Sequence, residues 1–324
     1  MSYAILEFVD ISAAAKMSQS TAAPQPELFI TERKELPKRV LPLMTLGDGN
    51  SLKPATLSLP TATSEERAKQ RFNVSGNAVI TGGLGTLGLE GAKALLQHGL
   101  SGLMLLDLNV PASQGALGEL RNEFPLAKIE ARTVDVTNEE AVANAIEETV
   151  EALGSVNILL CFAGIVGCIH SLETPISQWR KVMDTNATGS FICAQAVAKQ
   201  MVKQGTGGAI TFISSISAHR VLYPQPQAAY NVSKAALLML KNCLAAEWAR
   251  YGIRTNSISP GYMDTILNAG DGLAHARKIW TERNPSGRMG LPNELTGAMV
   301  LLSSDAGTYI NGADIVVDGG GIVF

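Results

Sequence analysis

Ala78-Val79-Ile80-Thr81-Gly82-Gly83-Leu84-Gly85-Thr86-Leu87-Gly88 decides how the rest of the chain is read. Four strand-forming residues run into a cluster of glycines, and the sequence then turns helix-like through LGLEGAKALLQHG. A strand that passes through glycines into a helix brings bare backbone up to a pyrophosphate, whose charge then sits on the helix N-terminus. A tight strand–helix turn alone gives the same letters, so the context decides. The next apolar run, LMLLDL at 103–108, places Asp107 19 residues beyond Gly88, where an acid bonds the ribose hydroxyls of a dinucleotide. A carboxylate at that place repels a 2′-phosphate. Neither the turn nor residues 108–110 carry an Arg or Lys to attract one. The reading is a dinucleotide site, with NAD favoured over NADP.

The pattern continues outward from this turn. Residues 113–123 read as helix and KIEARTVDV (128–136) as strand. Thr137 or Asn138 caps a helix through NEEAVANAIEETVEALG that stops at Gly154. VNILLCFAG (156–164) is a further apolar strand, followed by a long helical stretch at about 176–204. GAITFISS (208–215), a helix near 228–251, IRTNSIS (253–259) and ADIVVDGG (313–320) complete the series. Strands alternating with helices predict an α/β fold: one Rossmann-like, doubly wound parallel sheet with helices on both faces. Residues 73–324 form this domain. Residues 1–72 differ in composition, with six of the 14 prolines and two of the 31 glycines, and read as a mostly irregular N-terminal extension. Glu7 and Asp10 do not suit a transit peptide, and Met17 is a second candidate start.

The composition sets limits on function. The chain has 324 residues, 46% of them hydrophobic, and a net charge of −3. It can bury a large core, and it lacks the basic excess that nucleic acid or an anionic membrane as main partner demands. The longest apolar run, Ile158 to Ile169, contains Gly164 and Gly167 and is too short to span a bilayer, which takes about 20 residues. Cys161, Cys168, Cys193 and Cys243 lie among apolar neighbours, a pattern for buried thiols in a reducing, cytoplasmic compartment. No His or Cys completes a zinc set around Cys161, Cys168 and His170, so no metal is expected.

The chemistry is concentrated in Tyr230-Asn231-Val232-Ser233-Lys234. Residues four apart share a helix face, so Tyr230 and Lys234 point together. A phenol of ordinary pKa about 10 is a poor base at neutral pH, and a nearby ammonium favours its ionised form. Upstream, FISS ends a strand and puts Ser214 and Ser215 at the carboxyl edge of the sheet, where open α/β sheets bind ligands.

Together, TGGLGTLG, Asp107, VDV with Asp135, Asn186 in DTNATGSF, FISS, YNVSK, NSISPGYMDT and VDGG resemble the short-chain dehydrogenase/reductase family over nearly all of 73–324. The resemblance implies a catalytic set of Asn186, Ser215, Tyr230 and Lys234. Asn186 would order a helix and a water in a proton relay, and Ser215 would hold the substrate oxygen. Tyr230 would exchange the proton, while Lys234 would bind the nicotinamide ribose and lower the tyrosine pKa. It also implies cofactor contacts from Gly82, Leu84, Thr86, Leu87 and Gly88, and from Asp107. Asp135 and Val136 would flank adenine, with Ala163, Gly164, Pro260, Gly261 and Thr265 also lining the site.

Three departures from the family pattern stand out. Thr86 occupies the middle glycine position of TGxxxGxG, and CFAG replaces NNAG. Ser215 lies 15 residues before Tyr230 with the proline-rich YPQPQ between; Ser214 and Ser217 are alternatives to it. PQPQAAYNVSK with SPGYMDT is similar to fungal sugar-alcohol dehydrogenases, D-arabinitol 2-dehydrogenases among them. The implied reaction oxidises a polyol to a ketose with NAD, or the reverse, in a homotetramer built through the helices near 176–204 and 228–251. Rival readings are an NADP-dependent 3-oxoacyl or secondary-metabolite ketoreductase and a non-catalytic dinucleotide-binding protein. His98 near a helix end reads as structural. His219 and Trp280 are candidates to touch substrate, Trp280 because the family's 262–290 stretch caps the pocket.

Overall fold

The computed structural model describes residues 41–52 and 61–323; the expectations for Met17 and most of the N-terminal extension lie outside the described residues. Residues 1–44 separate from 45–324 as a unit of their own. Of that unit residues 41–44 are described, and their side chains are exposed.

In the second unit, seven strands form one parallel sheet: β1 (Asn77–Thr81), β2 (Gly102–Asp107), β3 (Lys128–Thr133), β4 (Ile158–Cys161), β5 (Gly208–Ile213), β6 (Ile253–Pro260) and β7 (Asp314–Val317). Their order is β3-β2-β1-β4-β5-β6-β7. Successive crossovers therefore run one way from β1 to β3 and the other way from β4 onward. The carboxyl ends of β1 and β4 mark the reversal, the place where doubly wound sheets open a ligand crevice.

Alternation along each strand sorts the core onto two faces. Ala78, Ile80, Leu103, Leu105 and Leu160 pack with Leu95 of α2 (Thr86–Gln97), Leu117 and Leu120 of α3 (Gln114–Glu123), and Val300 of α9 (Thr296–Ser303). Val79, Met104, Leu106, Leu159 and Phe212 pack on the other face with Ile146 of α4 (Glu139–Leu153), Val197 of α6 (Gly189–Gln204) and Leu237 of α7 (Ala228–Trp248). Leu159 and Leu160 are fully buried on opposite faces. Truncating either to Ala costs about 2–5 kcal/mol. Burial on both sides explains why β1, β2 and β4 read as largely continuous apolar runs, whereas the edge strand β3, KIEART, buries one residue fully.

The strands and helices expected from sequence are all present, and the cap of α4 is settled. The Asn138 side chain accepts from the Ala141 N–H at 3.0 Å, and Gly154 closes the helix at φ +87°. Two helices in the C-terminal part were not read from sequence, α8 (Ala274–Glu282) and α9. Neither has a side-chain N-cap bond. Helix α1 (Ser64–Arg71) lies in the segment expected to be mostly irregular; Thr63 and Glu66 make a reciprocal capping box there.

The cysteine expectation needs correcting. Cys161 and Cys193 are buried, whereas Cys168 and Cys243 are exposed. Cys168 sits in the loop after β4, and Cys243 lies off the buried face of α7, so apolar neighbours in sequence are not neighbours in space. No helix among the described residues is long and apolar enough to cross a membrane.

Candidate active site

A cleft of about 510 Å³ opens at the carboxyl ends of β1, β4, β5 and β6. One wall is the glycine turn, with Gly82, Gly85, Thr86, Leu87 and Gly88; the other holds Ser215, Tyr230 and Lys234.

The turn is folded on itself. Gly82 has φ +62°, and a Cβ there would lie 2.7 Å from the Ala163 nitrogen. A Cβ on Gly88 would strike the Gly82 carbonyl oxygen. These two glycines are required by close backbone approach. Gly85 differs: its φ is −74°, and a Cβ would meet only the Gly82 oxygen, at 3.4 Å. Gly85 is the N-cap of α2 and supplies no side chain to the first-turn N–H groups of Thr86 and Leu87. Those donors border the cleft and suit an anion. Thr86, the family departure, is exposed there as the first residue of α2.

Asp107 ends β2 beside the turn. Its Oδ2 accepts from the Leu84 N–H at 3.1 Å and its Oδ1 from the Asn109 N–H at 3.1 Å. A carboxylate has about four acceptor sites, so capacity remains for two hydroxyls. Gly164, Pro260, Gly261 and Thr265 also line the cleft. Leu84, Asp107, Asp135, Val136 and Ala163 stand off this cavity. Asp135 is engaged by the Thr137 backbone and hydroxyl, which hold its carboxyl below the ordinary range. Val136 packs where a Cβ on Gly189 would go.

On the opposite wall the side chains are tied to backbone. Lys234 is 5% exposed, and its Nζ donates to the Ile213 carbonyl at the end of β5, at 2.8 Å. Burial pushes its ammonium down to about 8. The same Nζ stands 5.7 Å from the centre of the Tyr230 ring. Tyr230 shares this cleft wall with Ser215, close enough for the serine hydroxyl to act on its ionisation. Burial pushes the Tyr230 phenol above its ordinary value, and the Ser215 hydroxyl pulls it the other way. Burial outweighs the serine, so the net direction is upward.

Among the three serines the geometry selects one. Ser214 is buried and donates to the Lys234 carbonyl at 2.9 Å. Ser217 is buried off the cleft, and its N–H donates to Ser215 Oγ at 3.2 Å. Ser215 alone of the three acts on the ionisation of Tyr230.

Asn186 is fully buried in a π-helical turn (Asp184–Thr188) that joins α5 (Ile176–Met183) to α6. Its Oδ1 accepts from the Ile165 N–H at 2.8 Å, and its Nδ2 donates to the Ile165 carbonyl at 2.9 Å and to Ser233 Oγ at 2.9 Å. Ser233 in turn donates to the Tyr230 carbonyl at 2.7 Å. Asn186 thus clamps the loop after β4 to the helix that carries Tyr230 and Lys234.

His98 caps the end of α2, with Nδ1 2.8 Å from the Ala94 carbonyl. His219 is held at the β6–β7 edge, its Nε2 3.1 Å from Ser259 Oγ and 3.0 Å from Asp314 Oδ2, and is absent from the cleft lining. Sequence reasoning missed Gln225 and Tyr262. Trp280 donates from its indole N–H to Gln225 Oε1 at 3.1 Å, and its ring stacks on Tyr262 with centroids 4.1 Å apart. The visible signal was Tyr262 in SPGYMDT, between the cleft residues Gly261 and Met263; Gln225 in YPQPQ had none.

The family model described as enoyl-(acyl carrier protein) reductase matches residues 84–321. The chain belongs to the short-chain dehydrogenase/reductase family. Sorbose reductase of Schizosaccharomyces pombe is 39% identical over 254 residues, covering 77% of this chain and 97% of that protein. The ribulose-forming D-arabinitol 2-dehydrogenase of Candida tropicalis is 34% identical, covering 77% and 93%. The NADP-dependent mannitol dehydrogenase of Alternaria alternata is 32% identical, covering 82% and 98%. A crystal structure of a short-chain type dehydrogenase/reductase from Mycobacterium marinum superposes with a TM-score of 0.75 at 36% identity, covering 79% of this chain and 99% of that one.

Proposed function

We propose that this oxidoreductase interconverts a secondary alcohol and a ketone with NAD, the substrate being a sugar alcohol such as D-arabinitol and its ketose. The observation that carries the reading is Ser215, Tyr230 and Lys234 gathered on one wall of a cleft whose facing wall is the glycine turn. Ser215 holds the substrate oxygen. Tyr230 gives a proton to that oxygen in reduction and takes it in oxidation, a role worth typically about 10²–10⁴-fold. Lys234, anchored by the Ile213 carbonyl, is placed to engage a ribose hydroxyl and to stabilise the phenolate. Asn186 keeps the Ile165 loop and the Tyr230 helix in register. A nicotinamide dinucleotide held by the α2 N-terminus and Asp107 would supply the hydride chemistry.

The first-turn N–H groups of α2 and the spare acceptors of Asp107 fit a dinucleotide. The Asp107 carboxylate favours NAD. The Alternaria relative's name gives a second reading, with NADP. We place the activity in residues 73–324, with residues 1–72 an extension, and propose a cytoplasmic homotetramer formed through α5, α6 and α7. Sedimentation of a stable monomer would contradict the tetramer.

The test is oxidation of a panel of pentitols and hexitols with NAD and NADP in parallel. Turnover of D-arabinitol or a close polyol with NAD supports the reading. NADP preference, or silence with NADH still bound, overturns the cofactor or the substrate respectively. Asp107→Ala should shift the NAD/NADP ratio of kcat/KM about tenfold towards NADP.

A further inference from the structure

We propose that His219 is a positioning residue for Ser215: its imidazole N–H ties the end of the turn that Ser215 opens to Asp314 on β7, and so fixes the hydroxyl that meets the substrate oxygen. The inference rests on the reading of Ser215 as the group that holds that oxygen, and it needs no particular alcohol.

Ser215 lines the cleft with Tyr230 and Lys234, two residues past the end of β5. Beyond it the chain makes a short 3₁₀ turn (Ile216–Ala218), with Ser215 as its N-cap and His219 as its C-cap. The turn and the serine hold each other. The Ala218 N–H donates to the Ser215 carbonyl at 3.0 Å, the Ser217 N–H to Ser215 Oγ at 3.2 Å, and the His219 N–H to the Ile216 carbonyl at 3.1 Å. A hydroxyl that accepts from Ser217 keeps its own proton for another partner. Rotating the turn therefore re-aims that proton.

Two contacts oppose such a rotation. Ile216 is buried and seats one side of the turn. His219 holds its far end. Ala218 has no polar side-chain atom, and the buried Ser217 hydroxyl has no partner. Among the described residues, His219 is thus the one side chain of 216–219 that hydrogen-bonds another element. Its Nε2 lies 3.0 Å from Asp314 Oδ2 and 3.1 Å from Ser259 Oγ.

The donors and acceptors there are fixed. Ser257 and Ser259 are fully buried, two apart on one face of β6. Ser257 donates to Asp314 Oδ1 at 2.5 Å and Ser259 to Oδ2 at 2.9 Å. The Ser259 proton is thus spent on Asp314, and a carboxylate only accepts. Nε2 must therefore carry a proton and donate, whatever the state of Nδ1. Asp314 already satisfies both serines, and backbone pairing already joins β6 to β7. The strand edge does not need the histidine; what His219 adds is a link to the turn.

The experiment uses the full chain and the secondary alcohol it oxidises best, and reads kcat, KM and the fluorescence Kd for NADH. His219→Leu keeps bulk and removes the donor. It should lower kcat/KM about tenfold, inside the roughly 10²-fold that a small misplacement can cost, with the Kd for NADH unmoved. His219→Gln presents an amide N–H near the place of Nε2 and should recover most of the loss. Asp314→Asn has too few acceptors for three donors and should match His219→Leu. The deciding measurement repeats His219→Leu in a Ser215→Ala background, or Asp314→Asn if the leucine variant does not fold. There it should add no more than about twofold. A full loss persisting in that background, or one that His219→Gln does not recover, shows a merely structural role and overturns the proposal. A His219→Leu variant as active as wild type overturns it too. If Ser215→Ala itself costs nothing, it is the reading of Ser215 that fails, and this inference falls with it.

Discussion

The two walls of the cleft are built by opposite means. On one wall stand Ser215, Tyr230 and Lys234, with Lys234 and the buried Asn186 behind them fixed by side-chain hydrogen bonds to backbone groups distant in sequence. On the other, Gly82 and Gly88 work by having no side chain, because any Cβ would meet backbone. The first wall is therefore sensitive to chemistry at constant volume, and the second to volume at constant chemistry.

The sharpest way to break this contrast is Tyr230→Phe, which changes one oxygen and almost no volume. Turnover should fall by about 10³-fold, while NADH binding, read by its fluorescence, persists. Near-normal activity would remove Tyr230 from the mechanism. On the glycine wall the corresponding change is Gly82→Ala. It combines a strained positive φ with a clash against Ala163, and should lower unfolding stability by about 2–4 kcal/mol in urea titrations. Gly85→Ala, one turn away, should stay within about 0.5 kcal/mol, since its φ is negative and its surroundings are open. Equal losses at the two glycines would refute the volume argument.

A smaller effect comes from Lys234. Its ammonium sits at about 8 when folded, against an ordinary value of 10.5. Between those two values the unfolded chain binds more protons, so this residue's penalty is full below pH 8 and fades as pH rises. Relative to Lys234→Met, wild-type stability should climb by about 2 kcal/mol from pH 7.5 to 9.5. A flat difference across that window would show that Lys234 is not desolvated.

The two walls were also unequally legible. The central strands β1, β2 and β4 were readable because burial on both faces makes them continuous apolar runs, and the glycine turn because its letters are nearly obligatory for its shape. Tyr230 and Lys234 were readable from helical spacing. The choice of Ser215 over Ser214 and Ser217 needed three dimensions, since it depends on which hydroxyl the strand end leaves facing Tyr230. Asn186 was placed by resemblance, yet its grip on Ile165 crosses 21 residues and has no local signature. His219 was a reasonable candidate in the sequence. Its hydrogen-bonding partner Asp314 lies 95 residues away, and that contact holds it at the sheet edge. Helix α8 was missed because it begins without a capping side chain and its amphipathic pattern is short.

The π-turn at Asp184–Thr188 has a consequence of phase. One residue more than an α-helical turn needs is inserted between α5 and α6, and each residue advances a helix by about 100°. The insertion acts as a key cut between two otherwise continuous segments. Deleting one of the residues that flank Asn186 in it would restore a regular, better hydrogen-bonded rod. It would also turn α5 relative to α6, so that Asn186 could no longer meet Ile165 and Ser233 while both helices kept their seats. The local irregularity is what lets one asparagine address the loop and the helix that carries Tyr230 and Lys234 at once.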